Sequence, residues 1–254
     1  MIALEDLTLV IALDAEHLAE FKSVWPTWIK YHPELKPMLK IFMCDGKAMA
    51  PSEWERSLKP MSRNATIDTV QLTNNPGDQR EAMLGLFVQR APGLVETSHW
   101  LKIDTDAVCT GPGKLCDPDW FVDDPAIVAP GWNYTKPRQF IIRLDRWAEE
   151  AHGLAHYHRP VIASDCEITI RNGIERIHHP RITSWISIIE TDFSRQAARF
   201  AARCLPVPSQ DTYHWYVAAR LKRTIVRSKA IRNGWVHCSG RKRRERVVQE
   251  VMGK

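Results

Sequence analysis

Two apolar runs, "LTLVIAL" (Leu7 to Leu13) and "MLKIFMCD" (Met38 to Asp45), flank the helix-period stretch "AEHLAEFKSVWPTWIKYH". This arrangement constrains the fold more than any other feature of the chain. Neither run alternates apolar with polar residues, so each predicts a strand buried on both faces. A β-α-β order predicts parallel pairing through a crossover. The helix is expected to be interrupted at Pro26, which lacks the N–H that a helix interior uses. "TIDTVQL" (Thr66 to Leu72) suits a third strand. "GDQREAMLGLFVQRAP" suits a helix capped by Asp78 and closed by Pro92, and "HWLKID" (His99 to Asp104) suits a fourth strand. Four strands with helical connections predict a doubly wound α/β sheet over roughly the first 110 residues. Beyond it, "PAIVAPG" and "ITSWISIIET" are strand candidates, and helices are expected near Arg138 to Ala151 and Asp192 to Cys204. No Gly/Ser-rich linker or repeat divides the chain, so one continuous domain over residues 1–254 is expected.

The fourth strand ends on two carboxylates, Asp104 and Asp106, in "HWLKIDTDAVCT". A D-x-D triplet can be no more than a turn. A second one, Asp117 and Asp119 in "CDPDWF", supplies the comparison. It has Pro118 between its acids and no strand before it, so it reads as a turn or a helix N-terminus. Asp104 and Asp106 instead stand where a central strand leaves the sheet, the edge at which open α/β sheets bind ligands. "GPGKLC" lacks the spacing of a phosphate loop and is set aside.

Composition narrows the rest. The 254 residues are 44% apolar, enough for a sizeable core, and no apolar run approaches the ~18 residues of a membrane span. No signal-peptide pattern opens the chain, so a cytoplasmic protein is expected. The six cysteines (Cys44, Cys109, Cys116, Cys166, Cys204, Cys238) stand singly, without zinc-site or disulfide spacing, and read as reduced and mostly buried. The net charge of +5 is concentrated in "SGRKRRERVVQEVMGK". A solvated helix, an anionic membrane surface, an acidic partner and a ligand diphosphate all fit that end. Nucleic acid does not, because basic and aromatic residues are not interleaved elsewhere.

Taken with "PSQDTYHWY" and "WVHCSGRKRR", the segment "KIDTDAV" resembles the D-x-D and two later motifs of the GT-A glycosyltransferases, in particular the glycogenin-like family 8. That family shows a D-Q-D-like triplet opening a helix, then a strand-end His followed by Gly at three residues and Lys at six. Here the triplet is Ser209, Gln210, Asp211; His237 and Gly240 match; position 243 is Arg, with Lys242 one residue early. The resemblance covers most of the chain. It implies a GT-A, Rossmann-like nucleotide-diphospho-sugar transferase fold: a mixed central sheet flanked by helices, a nucleotide-binding half at 1–110 and a sugar- and acceptor-binding half at 111–254 with a basic tail.

The same resemblance implies roles. A nucleoside diphosphate leaving group gathers negative charge, which a divalent cation can take up. Mg²⁺ and Mn²⁺ accept carboxylates, and Mn²⁺ also accepts imidazole. Asp106 and His237 are therefore expected as metal ligands, with Asp104 sharing the ion or bonding the ribose, and Lys242 or Arg243 near the diphosphate. Gln210 and Asp211 would face the donor sugar, although "PSQD" is also ordinary cap chemistry. Ala12, Asp14 and Asp45, at the ends of the first two strands, fall where these enzymes receive base and ribose. Arg80, opening the helix before the D-x-D strand, resembles a basic residue that these enzymes aim at the nucleotide and is equally a surface residue; Asp14 is equally a helix cap, and His237 has the alternative of a core histidine. Trp132, Ser184 and Trp185 belong to the sugar-binding half, with core packing the ordinary fate of Trp185.

The expected activity is metal-dependent transfer from a nucleotide-sugar, UDP-linked, to a glycan or other hydroxyl acceptor, with retention of anomeric configuration. A non-catalytic binder of the same fold and a sugar-phosphate nucleotidyltransferase are the alternatives.

Overall fold

A computed structural model describes residues 2–71, 85–137, 167–171, 174–182, 185–201, 213–215, 217–218 and 221–253. The strands in chain order are β1 (Leu7–Leu13), β2 (Leu39–Asp45), β3 (Ala65–Val70), β4 (His99–Ile103), β5 (Ala107–Cys109), β6 (Ile127–Ala129), β7 (Gly131–Pro137), β8 (Glu167–Arg171), β9 (Ile174–Ile182), β10 (Ile186–Glu190), β11 (Ile225–Arg227) and β12 (Trp235–His237). The helices are α1 (Ala15–Tyr31), α2 (Pro51–Leu58), α3 (Ala91–Leu94), α4 (Thr191–Ala201) and α5 (Arg241–Met252).

Seven strands form the central sheet in the order β11-β6-β10-β4-β1-β2-β3. β1 pairs in parallel with β2 and β4, and β2 with β3, as the β-α-β reading predicts. β10 then runs antiparallel between β4 and β6, which makes the sheet mixed. Every residue of β1 is buried, because side chains on both faces meet apolar layers. One layer gathers Leu9, Ile11, Phe42 and Leu101 with Phe21 and Trp28 of α1; the other gathers Val10, Met43, Trp100 and Ile189 with Phe87 and Phe193. Burial on this scale, at about 25 cal/mol per Å² of apolar area, is what holds the layers together.

Helix α1 departs from expectation: it continues through Pro26 without a break. Pro26 does remove one backbone hydrogen bond. The apolar stripe of Leu18, Phe21, Val24 and Trp28 is buried against the sheet on both sides of it and outweighs the loss. Ser23 and Thr27 hydroxyls donate back to the carbonyls of Glu20 and Val24, as such side chains do inside a helix. The Asp117 triplet forms the expected turn, a short 3-10 segment at Pro118–Phe121 with Asp117 as cap. The expected helix at 138–151 lies outside the described residues, as does the start of the helix expected to be capped by Asp78. Among the described residues, Cys44, Cys109, Cys116 and Cys238 are free thiols, all but Cys116 buried.

Candidate metal and donor site

At the end of β4 the chain turns tightly, with the Ala107 N–H donating to Asp104 O at 3.0 Å. The turn is fastened from two other elements. The Asp104 N–H donates to Trp185 O at 2.7 Å, and the Cys238 N–H donates to Asp106 O at 3.1 Å. The chain leaves the turn as β5, which pairs antiparallel with β12 so that Ala107 stands opposite His237. This small ladder carries a histidine from the C-terminal region to the D-x-D turn. His237 Nε2 lies 3.1 Å from Asp106 Oδ1 and 3.9 Å from Asp104 Oδ2. One ligand atom from each of the three residues falls within 4.8 Å of the others.

Two carboxylate oxygens and one imidazole nitrogen at a half-buried sheet edge form a donor set suited to Mn²⁺, and to Mg²⁺ through the oxygens. Asp106 is held in the ionised form that metal binding needs. Burial opposes ionisation of Asp106, but the hydrogen bond and charge of His237 outweigh it and hold the carboxyl below its usual value. The hydrogen bond to Asp106 raises His237 against the effect of burial. The indole of Trp185 stacks on the His237 ring at 5.7 Å and 20°, fixing its plane. Trp185 is thus a buried packing residue, as expected, and also a support for the histidine.

Asp104 has a second neighbour. Lys102, fully buried in β4, donates from Nζ to Asp104 Oδ1 and stands over the Phe87 ring at 4.8 Å. The ammonium leaves Oδ2 as the oxygen of Asp104 that faces His237.

The three residues open onto a cavity of about 240 Å³ also lined by Ala12, His17, Glu20 and Ser239. The cavity lies at the carboxyl ends of β1 and β4, the binding edge of an open α/β sheet. Of the sequence candidates, Ala12, Asp104, Asp106 and His237 line it. Asp14 accepts from the His17 N–H as N-cap of α1 and contacts His17 Nδ1 at 2.8 Å. The buried carboxylate of Asp45 accepts from the Lys47 N–H in a turn. Lys242 and Arg243 are exposed at the start of α5 and are not among the lining residues. Arg80, Gln210, Asp211 and Ser184 lie outside the described residues.

Sequence reasoning missed His17, Glu20 and Lys102. The signal for the first two was present: with the cap Asp14 they recur at three-residue spacing on the first turns of α1, one face directed at the strand ends. The signal for Lys102 was a lone charge in a strand otherwise read as buried.

No protein-family model and no curated protein matches the sequence. Solved structures do match in fold. Core-mannan synthase A from Aspergillus fumigatus, in its Mn/GDP form, aligns with a TM-score of 0.55 at 12% identity over 84% of this chain and 69% of that one. The mannosyltransferase Ktr4p from S. cerevisiae in complex with GDP aligns with a TM-score of 0.51 at 11% identity over 85% of this chain and 61% of that one. The mixed α/β architecture is that of the GT-A glycosyltransferases.

Proposed function

We propose that the protein is a metal-dependent glycosyltransferase that moves a sugar from a nucleotide-sugar to a hydroxyl acceptor. The observation that carries this reading is the meeting of Asp104, Asp106 and His237 in one cavity at the strand ends. Asp106 and His237 would hold the ion, with Asp104 joining through Oδ2 while Lys102 occupies its other oxygen. When bound, a divalent cation supplies positive charge for the departing diphosphate.

The chain's own residues do the rest. Trp185 keeps the imidazole in plane, and the D-x-D turn is fastened by Trp185 O and the Cys238 N–H so that both carboxylates face one point. Preorganised charge of this kind needs no rearrangement during the reaction. The exposed cations Lys242 and Arg243 attract an anionic donor toward the cleft or hold the tail at an anionic membrane surface. Residues 1–110 serve as the nucleotide half and 111–254 as the sugar and acceptor half.

The family 8 resemblance supports a UDP-sugar and retention, with Gln210 and Asp211 positioning the sugar while the leaving phosphate accepts the acceptor's proton. The two solved neighbours carry GDP in their descriptions, so the test includes both bases. Among the described residues no helix is long and apolar enough to cross a membrane.

The test is a panel of UDP- and GDP-sugars incubated with Mn²⁺, Mg²⁺ or chelator while release of nucleoside diphosphate is followed. Metal-dependent release of UDP from one sugar donor is expected. Release of pyrophosphate from a nucleoside triphosphate and a sugar phosphate would make the protein a nucleotidyltransferase instead. Tight donor binding with no turnover would make it a binding protein.

A further inference from the structure

We propose that Glu20 is a positioning residue that brackets the metal site, joining the D-x-D turn to the C-terminal helix through one carboxylate. The inference rests on the metal-site reading above. Thr105, the residue between the two aspartates, is buried, and its Oγ1 donates to Glu20 Oε2 at 3.0 Å. Arg244 of α5, also buried, donates from Nη1 to Glu20 Oε1 at 2.7 Å. The two contacts span sequence separations of 85 and 224 residues and meet on a single side chain of α1.

Glu20 lines the cavity and could be mistaken for a base. Both of its oxygens are engaged, one by a hydroxyl and one by a guanidinium, which suits an anchor. The rest of α1 supports the same assignment. Trp28 Nε1 donates to Ala107 O at 2.6 Å, and Thr27 Oγ1 accepts from the Cys109 N–H at 3.2 Å, so α1 also grips β5. Lys30 Nζ donates to Val251 O at 2.6 Å, a second hold on α5. One helix thus grips both β5, into which the turn of Asp104 and Asp106 leads, and α5, which begins four residues after His237.

Glu20 is the point where a single group touches both. The orientation of Thr105 sets the directions in which its two neighbours point, and Arg244 ties that orientation to α5, which follows the strand β12 that ends on His237. Groups that orient metal ligands from behind change metal affinity by roughly 10- to 100-fold when removed.

The experiment uses the full chain and Mn²⁺ alone, titrated by electron paramagnetic resonance, then Mn²⁺ with UDP by calorimetry. Thr105→Val keeps the shape and removes the hydroxyl; Thr105→Ser keeps the hydroxyl. Thr105→Val should weaken Mn²⁺ binding roughly 10- to 100-fold with little change in melting temperature, and Thr105→Ser should bind within about twofold of the parent. Arg244→Met should also weaken binding, and the pair Thr105→Val/Arg244→Met should lose less than the product of the single losses, because both act through Glu20. A parent that binds Mn²⁺ with Thr105→Val binding it equally well overturns the bracket and leaves the metal site standing. Equal losses in Thr105→Val and Thr105→Ser also overturn it. A parent that binds no Mn²⁺ overturns the metal site and the bracket with it.

Discussion

Asp106 and His237 face each other at 3.1 Å across the end of a two-stranded ladder in which Val108 pairs with Val236 and Cys109 with Trp235. More than half the chain separates them in sequence. The ladder fixes the distance, so the meeting of the two side chains depends on strand geometry as much as on their identity.

The two D-x-D triplets can be told apart by experiment. Asp119 belongs to an exposed 3-10 turn, where Asp117 accepts from the Asp119 N–H and pairs with Lys114. Asp106→Asn should abolish metal-dependent nucleotide binding with the fold intact, whereas Asp119→Asn should leave binding unchanged. Calorimetric titration of UDP with Mn²⁺ checks both, and damage from the Asp119 change alone would move the site to the other triplet.

The ladder itself can be attacked from behind. Gly234 adopts φ +79° just before β12, and a Cβ there would stand 2.2 Å from Gly111 O. Gly234→Ala must force the Gly111 and Gly234 backbones apart, at a cost of roughly 3 kcal/mol. Urea denaturation should show that loss. The surviving folded fraction should bind Mn²⁺ weakly, because β12 can no longer hold His237 in register. Unchanged stability would mean that the crossing of these two segments is loose.

Asp14 caps the N-terminus of α1, and that role has its own signature. Burial of its carboxyl is outweighed by the hydrogen bonds and charge of His17, leaving its folded pKa below the ordinary 3.8. A carboxyl with a depressed folded pKa contributes stability that is complete above the unfolded value and lost as pH falls through the folded one. Asp14→Ala should therefore cost about 1 kcal/mol near neutral pH, and the difference from the parent should shrink below pH 3.8. A gap that stayed constant into acid would show that the carboxylate's charge contributes nothing.

The parts of the fold that were legible in the sequence are those governed by burial on both sheet faces. β1 spans Leu7–Leu13 as read, because seven apolar or small residues in a row leave no solvent-facing side to confuse the period. The turn carrying Asp104 and Asp106 was legible for a related reason, since both break an apolar run at its end, while the expectation that His237 would meet them came from the resemblance of "WVHCSGRKRR" to a family motif. Pro26 misled because its local cost is plain in sequence while the burial of Phe21 and Trp28 around it is not. Glu20 and Arg244 were hidden for the same kind of reason. A charge on an amphipathic helix reads as solvated until the partner strand and helix are in place to bury it. Lys102 needed the tertiary structure too, since the turn of Asp104 back over β4 brings a counter-charge to it.

The most direct test of the account is calorimetric titration of Mn²⁺ and UDP into the parent, Asp106→Ala, His237→Ala and the double variant, with circular dichroism confirming the fold. If both residues ligate one ion, each single change removes most of the metal-dependent affinity, about a hundredfold or more, and the double change costs far less than the sum of the two in free energy. Binding without metal stays weak and similar in all four proteins. If His237→Ala binds Mn²⁺ and UDP like the parent, His237 is a strand-end histidine packed on Trp185 and the account of the metal site is wrong.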